Sequence, residues 1–165
     1  IGIKKETVME KGGKELKVSA IKNGTVLDHI PASQLFKVIS ILGLKDCANQ
    51  VTFGMNLESR RLGKKAIIKV ADRYFEETEI NKVALVAPDA KINIIKDFEV
   101  IEKKVIRVPD EISGIVKCAN PKCITNHQPI TTKFTTTYEN GELKLHCRYC
   151  EKNTSSDNMK IISEN

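Results

Sequence analysis

Short runs of alternating apolar and polar residues fill much of the first two thirds of the chain. Alternation with a period of two predicts strands, because successive side chains of a strand point to opposite faces. Strands are expected at residues 17–21, 26–31, 51–57, 66–70, 91–95 and 98–101. Asn23 and Gly24 form a turn signal before the second of these strands.

Two further segments repeat their apolar residues with helical spacing. The first follows Pro31, which suits the first position of a helix, and stops at Gly43. Its apolar residues, expected to form one buried face, are Leu35, Phe36, Ile39 and Leu42. The second covers residues 77–86, with Thr78 as the expected N-cap, and ends before Pro88.

The order of these elements, β-α-β-β-α-β with an extra terminal strand, predicts a ferredoxin-like α/β sandwich: an antiparallel sheet with two helices on one face. Residues 1–15 lack steady periodicity and are interpreted as a mobile N-terminal arm, and residues 16–103 as this domain. Residues 104–165 are assigned to a second domain, since Pro109 and Asp110 give a boundary signal. The predicted fold class is therefore α+β.

The second domain is expected to be small and all-β. Segments 131–138 and 142–146 flank the sequence Glu-Asn-Gly at 139–141, which is a hairpin signal. The domain is too short and polar to bury a sizeable core, so a bound metal must supply much of its stability.

Four cysteines of this domain are the candidate metal ligands. Cys118 and Cys123 stand in C-A-N-P-K-C, and Cys147 and Cys150 in C-R-Y-C. Two close pairs of thiolates match the closed tetrahedral set of structural Zn²⁺, which leaves no position for water or substrate. Two disulfides would use the same residues, but the chain opens I-G-I-K-K-E-T, without the apolar segment of a secretory signal. In a reducing cytoplasm, where we expect this protein, short-spaced cysteine pairs favour a metal.

Composition and charge narrow the classes of partner. The chain has 165 residues, of which 41% are hydrophobic and 29% charged, as in ordinary soluble domains. No apolar run approaches the roughly 20 residues of a membrane-spanning helix, so no membrane partner is expected. The net charge of +6 permits an anionic partner without choosing among nucleic acid, nucleotide and acidic protein. Five Phe, three Tyr and no Trp give little support for a stacking platform on single-stranded nucleic acid.

The sequence offers little catalytic machinery, which favours a binding or regulatory chain over an enzyme. Neither a G-x-x-x-x-G-K-[ST] loop nor a G-x-S-x-G elbow occurs. Of the three histidines, His127 and His146 fall in the metal-binding domain. His29 follows Asp28, and neighbours on a strand point to opposite faces, so no shared base-and-orienter pair is expected. Cys47 stands alone and is interpreted as a small, partly buried residue.

One predicted strand carries two lysines on the same face. Lys65, Ile67 and Lys69 alternate along it, and two ammonium groups around an apolar residue suit a polyphosphate with its adjoining sugar or base. A solvated strand face with ordinary surface lysines is the alternative. Asp28 has two interpretations as well, a carboxylate near a helix start or an acceptor for ribose hydroxyls.

Several separated motifs resemble the regulatory chain of aspartate carbamoyltransferase. They are V-S-A-I-K-N-G-T-V-L-D-H-I-P-A, G-K-K-A-I-I-K, A-P-D-A-K-I-N-I-I-K-D-F-E-V, C-A-N-P-K-C-I-T-N and C-R-Y-C-E-K, in order from Val18 to Lys152. The resemblance implies an N-terminal domain that binds CTP or ATP as allosteric effectors, and a C-terminal zinc domain that contacts the catalytic chain. It also implies a regulatory homodimer within a hetero-oligomer of pyrimidine biosynthesis, and no chemistry by this chain itself.

The resemblance also identifies the residues of a nucleotide site. They are Val18, Ala20, Ile21, Val26, Asp28, His29, Lys65, Ile67, Lys69, Asn93, Ile95, Val100 and Lys103. Backbone groups at Ala20 and Ile21 would contact the base, and Asp28 the ribose. Lys69 and Lys103 would contact the phosphates.

The chain departs from the best-known family pattern at three positions. Phe98 replaces Tyr and keeps only the ring, and Glu15 replaces Lys near the N-terminal arm. The exchange at Glu15 leaves open whether the arm contacts phosphate or a second nucleotide. Lys122 replaces Asn in a loop whose Asn120 matches a residue that faces the catalytic chain.

The leading hypothesis is therefore a non-catalytic regulatory chain. A zinc-ribbon nucleic-acid-binding protein is the alternative, because basic chains with four cysteine ligands often belong to that class. Such a protein needs Lys and Arg clustered on the hairpin, whereas segment 131–138 contains only Lys133. A zinc enzyme ranks third, since a closed ligand set leaves no catalytic position.

Overall fold

The computed structural model of the chain describes residues 6–9, 15–18 and 20–162, the first two stretches as backbone only. Those two stretches are strands β1 (Glu6–Met9) and β2 (Glu15–Val18), which pair antiparallel. The sequence predicted no regular element in residues 1–15, and it placed the strand of this region at 17–21. The difference arises because β1 is defined by its pairing with β2, which the periodicity of a single segment does not report.

Five antiparallel strands form the central sheet of the first domain. They are β3 (Gly24–Pro31), β4 (Val51–Ser59), β5 (Gly63–Ala71), β6 (Lys91–Lys96) and β7 (Glu99–Lys104). Their spatial order is β4-β5-β3-β6-β7. Helices follow β3 and β5, so the arrangement is the predicted ferredoxin-like sandwich with β7 as an additional edge strand.

Two short helices connect these strands. Helix α1 (Leu35–Ile41) continues a 3-10 turn at Ala32–Gln34 and ends where Gly43 takes a left-handed φ of 63°, a conformation that glycine adopts without strain. Helix α2 (Glu77–Asn81) runs on as a 3-10 helix at Lys82–Leu85. No helix in the described part of the chain is long and apolar enough to cross a membrane.

The predicted N-cap of α2 is wrong. Glu76, not Thr78, occupies that position, and its backbone N–H donates to Oε1 of Glu79 at 3.1 Å. The Glu76 side chain in turn accepts the backbone N–H of Glu79, which completes a capping box. A glutamate therefore occupies the N-cap position that Ser, Thr or Asp more often takes. Residue preferences alone did not indicate this choice.

The helices cover one face of the sheet and bury the main hydrophobic core against it. Its fully buried members include Leu27, Ile30, Leu35, Val38, Ile68, Val70, Ile80, Val83 and Ile92. Phe36 was expected in this core but is 60% exposed and packs edge-on against Phe53, with ring centroids 6.0 Å apart. The core stripe of α1 runs through Leu35, Val38 and Leu42, and Phe36 lies about 100° around the helix from it.

Within the described residues the second domain contains six short strands, which agrees with the all-β prediction. They are β8 (Glu111–Ser113), β9 (Val116–Lys117), β10 (Lys133–Glu139), β11 (Glu142–Cys147), β12 (Asn153–Ser155) and β13 (Lys160–Ile161). Four of them form a sheet in the order β12-β11-β10-β8, and β9 pairs with β13. The β10–β11 hairpin turns at Asn140 and Gly141, with φ of 51° and 79°, which confirms the predicted hairpin signal.

A second, smaller core fills this domain and reaches into the first. Its buried residues are Leu85, Ile112, Val116, Cys118, Cys123, Phe134, Leu143, Leu145, Cys147 and Met159. Leu85 comes from the end of the α2 segment, and Val86 and Val108 pack against both cores. The two domains therefore share an apolar contact.

Candidate functional site

Four thiols of the second domain meet at one point. The Sγ atoms of Cys118, Cys123, Cys147 and Cys150 all lie within 4.8 Å of one another. Those of Cys118 and Cys150 are 3.7 Å apart, and those of Cys123 and Cys147 are 3.8 Å apart. A disulfide bond would bring two sulfurs to roughly 2.05 Å, so the cysteines are not paired in that way.

The geometry of the cluster fits a structural zinc ion. Zn²⁺ binds thiolates at about 2.3 Å in a tetrahedron, which places the sulfurs roughly 3.8 Å from one another. The Cys118–Cys150 and Cys123–Cys147 separations match this value, and all the sulfurs stay within 4.8 Å of one another. With all four thiolates bound, the ion has no open position, so its role is structural.

Hydrogen bonds hold the first cysteine loop, residues 118–123, in place. The side-chain amide of Asn126 donates to the carbonyls of Cys118 and Asn120, at 3.0 and 2.8 Å. The N–H of Ala119 donates to the buried hydroxyl of Thr154 at 3.2 Å. Sequence reasoning missed Asn126 and Thr154, because neither belongs to a spacing pattern that indicates such a role.

Without a metal, the thiols differ in acidity. Burial raises the pKa of Cys118 to about 12 and also raises that of Cys147. Burial acts in the same direction on Cys150, but hydrogen bonds with Asn120 and Lys152 outweigh it and lower the pKa to about 7. Because zinc binds thiolates, loading the cluster must release protons.

The two histidines of this domain stay outside the thiol cluster. Nε2 of His127 lies 2.7 Å from the carbonyl oxygen of Pro121. Nδ1 of His146 lies 2.9 Å from Oδ1 of Asn153. Both rings therefore have a local polar partner that accounts for their positions.

A second candidate site lies on the face of the large sheet that the helices leave uncovered. A row of directly opposed residues crosses the five strands: Thr52, Lys69, Val26, Asn93 and Lys103. Residues opposed on neighbouring strands project from the same face. The neighbours of Lys69 on β5, Ile68 and Val70, point into the core, so the row occupies the other face. Four residues of the predicted nucleotide site thus share one line, with Lys69 towards one end and Lys103 at the other.

Lys69 is buried although the helices lie on the opposite face of the sheet. Lys69 is only 1% exposed, and this burial lowers the pKa of its ammonium group to about 8. Low-dielectric surroundings disfavour the charged ammonium, which is why the pKa falls. The interpretation of Lys69 as an ordinary solvated lysine is therefore wrong.

Two donors hold one oxygen of the Asp28 carboxylate. Nζ of Lys65 lies 2.9 Å from Oδ1, and the backbone N–H of His29 donates to the same atom at 2.6 Å. The other oxygen, Oδ2, lies 3.6 Å from Nδ1 of His29, beyond hydrogen-bond distance. Within the described part of the chain Oδ2 is thus available to a further donor.

The expectation that Asp28 and His29 point to opposite faces is wrong. Strand β3 contains a bulge between Leu27 and Ile30, and His29 has a positive φ of 59°. A bulge breaks the alternation of side chains, and a positive φ is strained for a residue with a Cβ. Nδ1 of His29 is also buried without a hydrogen-bond partner among the described residues. Strain and an unpartnered polar atom together are typical of a ligand-binding position.

A cavity of about 550 Å³ opens beside these residues. That volume is within the usual range for small-molecule sites. Its walls include the predicted Asp28, His29, Asn93 and Lys103. They also include charged side chains that sequence reasoning missed, Asp89, Lys91 and Lys104. Lys91 lies directly opposite Asp28 on the neighbouring strand, a relation that only the register reveals.

The remaining predicted residues that the structure describes differ in burial and do not line this cavity. Ile95 is buried and lies opposite Val100, which is 50% exposed. Ala20, Ile21 and Ile67 are half-buried, and for Val18 the structure describes only the backbone of β2.

Phe98 lies in the tight turn between β6 and β7. It has a φ of 67°, is 43% exposed, and its N–H donates to the carbonyl of Lys22 at 2.9 Å. Lys22 directly follows Ala20 and Ile21. The hydrogen bond therefore links the β6–β7 turn to the loop that is predicted to contact the nucleotide base. The side chain of Glu15 lies outside the described residues.

Two basic side chains of the second domain lie close to carboxylates. Nζ of Lys144 lies 3.6 Å from Oε2 of Glu142, and NH1 of Arg148 lies 3.3 Å from Oε1 of Glu111. Paired cations are less available to phosphate, so this sheet gives no support to the alternative of a nucleic-acid-binding zinc ribbon.

Comparison with protein families identifies both parts of the chain. Residues 16–107 match the family model described as the allosteric domain of the aspartate carbamoyltransferase regulatory chain. Residues 110–160 match the model of the metal-binding domain of the same regulatory chain. The resemblance noted in the sequence is thereby confirmed.

Individual relatives agree with these family models. The aspartate carbamoyltransferase regulatory chain of Phocaeicola vulgatus is 55% identical over 148 residues, 89% of this chain and 94% of the relative. That of Bacteroides fragilis is 50% identical over 154 residues, 93% of this chain and 100% of the relative. That of Pyrococcus horikoshii is 50% identical over 147 residues, 88% of this chain and 96% of the relative.

Proposed function

The chain belongs to the family of aspartate carbamoyltransferase regulatory chains, and we propose that it binds CTP and ATP and relays their presence to a catalytic chain. As a regulatory chain it is a non-catalytic subunit acting in the pyrimidine pathway. We place it in the cytoplasm, whose reducing conditions keep ligand thiols free. The observation that carries the proposal is the row of Lys69, Val26, Asn93 and Lys103 beside the Asp28 cavity.

The triphosphate of the nucleotide would lie along this row. Lys69 and Lys103 are three strand spacings apart, roughly 14 Å between backbones. Their long, flexible stems allow both ammonium groups to turn towards one polyphosphate lying between them. Val26 and Asn93 line the space between, and the amide of Asn93 can donate to a phosphate or sugar oxygen.

The ribose would bind at Asp28. Lys65 and the His29 N–H both hold Oδ1, which fixes the carboxylate and leaves Oδ2 to accept a sugar hydroxyl. The unpartnered Nδ1 of His29 lies beside it and offers a second polar contact. The base would then reach the loop of Ala20 and Ile21, whose backbone groups can bond its edge.

Direct titration tests this proposal. We expect calorimetry on the full, zinc-loaded chain to show binding of both CTP and ATP. The two nucleotides should compete, because they share the phosphate and ribose contacts. A chain that bound neither nucleotide at millimolar concentration would contradict the assignment of the site.

The affinity for nucleotide should fall as the pH rises from 7 to 9. The pKa of Lys69 is about 8, so its ammonium is largely present below that pH and lost above it. Phosphate oxygens are already ionised at pH 7, so the lysine dominates the change. If only the charged form binds, the affinity at pH 9 should be about tenfold lower than at pH 7. The Lys69→Met chain should lack this slope, and an equal slope in both chains would contradict the assignment.

The second domain would contact the catalytic chain through its first cysteine loop. Asn120 accepts the backbone N–H of Lys122 at 3.1 Å, so the loop has a fixed shape that depends on the neighbouring thiol cluster. Lys122 is exposed at its surface. Zinc would act here as a structural support for the contact surface.

A homodimer of regulatory chains would form along strand β4. This strand ends the large sheet, so its outer edge has no neighbour in the described part of the chain. Apolar side chains are exposed along it and on α1: Phe36, Phe53, Met55 and Leu57. An open apolar edge is a template for pairing with a second copy.

Charging this edge should separate the dimer. We expect the Phe53→Lys/Leu57→Lys chain to run as a monomer in light scattering at micromolar concentration, while the unchanged chain runs as a dimer. Val105, which is 87% exposed in the connector, gives the matched control Val105→Lys. A double variant that stayed dimeric would place the dimer contact elsewhere.

A further inference from the structure

A larger cavity lies where the two domains meet. It has a volume of about 750 Å³ and is walled by α1 on one side and by the β9–β13 pair and the first cysteine loop on the other. Its charged side chains are Lys37, Lys117, Asp157 and Lys160. Lys37 comes from the first domain and the other three from the second.

Two of these lysines are directly opposed on neighbouring strands. Lys117 on β9 faces Lys160 on β13 in the antiparallel register. Like charges at such positions repel each other and destabilise the pair. Within residues 20–162, none of the three lysines forms a salt bridge with a carboxylate, Asp157 included. Three ammonium groups around a concave surface with one carboxylate leave an uncompensated positive charge.

We propose that this junction cavity binds a small multivalent oxyanion of the phosphate or pyrophosphate class. The anion accepts hydrogen bonds from Lys117 and Lys160 and relieves their repulsion. Lys37 contacts it from the opposite wall. Because that lysine belongs to the effector domain, a bound anion bridges the two domains independently of the sheet-face nucleotide site.

The neighbouring thiol cluster is a second source of stabilisation for these lysines once zinc is bound. Four thiolates around one zinc ion carry a net charge of −2, and Lys117 adjoins Cys118. That charge alone would stabilise nearby lysines without any further ligand.

The test uses pyrophosphate as the probe on the full, zinc-loaded chain. The Lys69→Gln/Lys103→Gln background removes the sheet-face phosphate contacts, and calorimetry should still detect pyrophosphate in this background. Adding Lys117→Gln/Lys160→Gln should lower the affinity at least tenfold. The matched control Lys45→Gln/Lys133→Gln removes two exposed lysines elsewhere and should leave the affinity within a factor of two.

The bridge between domains has its own variant. Lys37→Gln should lower pyrophosphate affinity several-fold, and unchanged affinity would contradict the bridging geometry. No binding in the Lys69→Gln/Lys103→Gln background would overturn the proposal and leave the zinc–thiolate charge as the explanation. Equal losses in the control pair and in Lys117→Gln/Lys160→Gln would overturn it as well, because binding would then follow net charge alone.

Discussion

Replacing Cys147 by serine should unfold the second domain and release the chain from its catalytic partner. Cys147 is fully buried, and its thiolate is one of four that define the tetrahedron. Structural zinc contributes on the order of 10 kcal/mol or more of apparent binding free energy in small domains. The remaining core of this domain is too small to compensate for such a loss.

The measurement is zinc content together with co-purification of the catalytic chain. Cys47→Ser is the matched control, because Cys47 is half-buried in the first domain and lies outside the cluster. It should keep one zinc per chain and the full assembly. The first domain has its own core, so the Cys147→Ser chain should still bind nucleotide. Stoichiometric zinc and an intact complex in that chain would contradict the structural role of the metal.

Replacing Lys69 should remove the nucleotide response while leaving assembly unchanged. The loss of one charge-assisted hydrogen bond to phosphate costs about 1.5–3 kcal/mol, which is roughly ten- to hundredfold in affinity. Lys69→Ala removes both the charge and the buried stem, whereas Lys69→Met keeps most of the stem volume. We expect both variants to lose CTP and ATP affinity by this factor, as seen in calorimetric titration.

Lys64→Ala is the control for this prediction. Lys64 lies on the same strand but is exposed, so its removal should leave nucleotide affinity unchanged. Zinc content and complex formation should match the unchanged chain in all three variants, because the second domain is untouched. Unchanged affinity in Lys69→Met would remove this lysine from the proposed site.

In the proposed function, the nucleotide signal travels from the sheet face to another polypeptide. Such coupling requires the nucleotide to bind two states of the assembly unequally, since equal binding shifts nothing. Leu85 lies in the second core, and Val86 and Val108 pack against both cores. A change in the first domain can therefore reach the second through packed side chains as well as through the connector.

Much of this architecture was predictable from local patterns. Period-two runs placed the five strands of the large sheet, and Asn140-Gly141 marked the hairpin of the second domain, because these signals depend on neighbouring residues alone. The close spacing of the cysteines indicated a metal cluster for the same reason.

Features set by tertiary context were not predictable. The burial of Lys69 and the register that opposes Lys91 to Asp28 arise from chain segments distant in sequence. The bulge that turns His29 towards Asp28 breaks the alternation on which the prediction depended. Strand β1 exists through its pairing with β2, and periodicity within one segment does not encode a pairing.

We propose that this chain gives a catalytic chain its response to nucleotides. Aspartate saturation curves of the purified catalytic chain, alone and reassembled with this chain, test it most directly. We expect CTP and ATP to shift the curve of the reassembled complex and to leave that of the catalytic chain alone unchanged. This chain alone should show no turnover of carbamoyl phosphate and aspartate. Nucleotides that failed to shift the complex, or that shifted the catalytic chain alone by the same amount, would contradict the account.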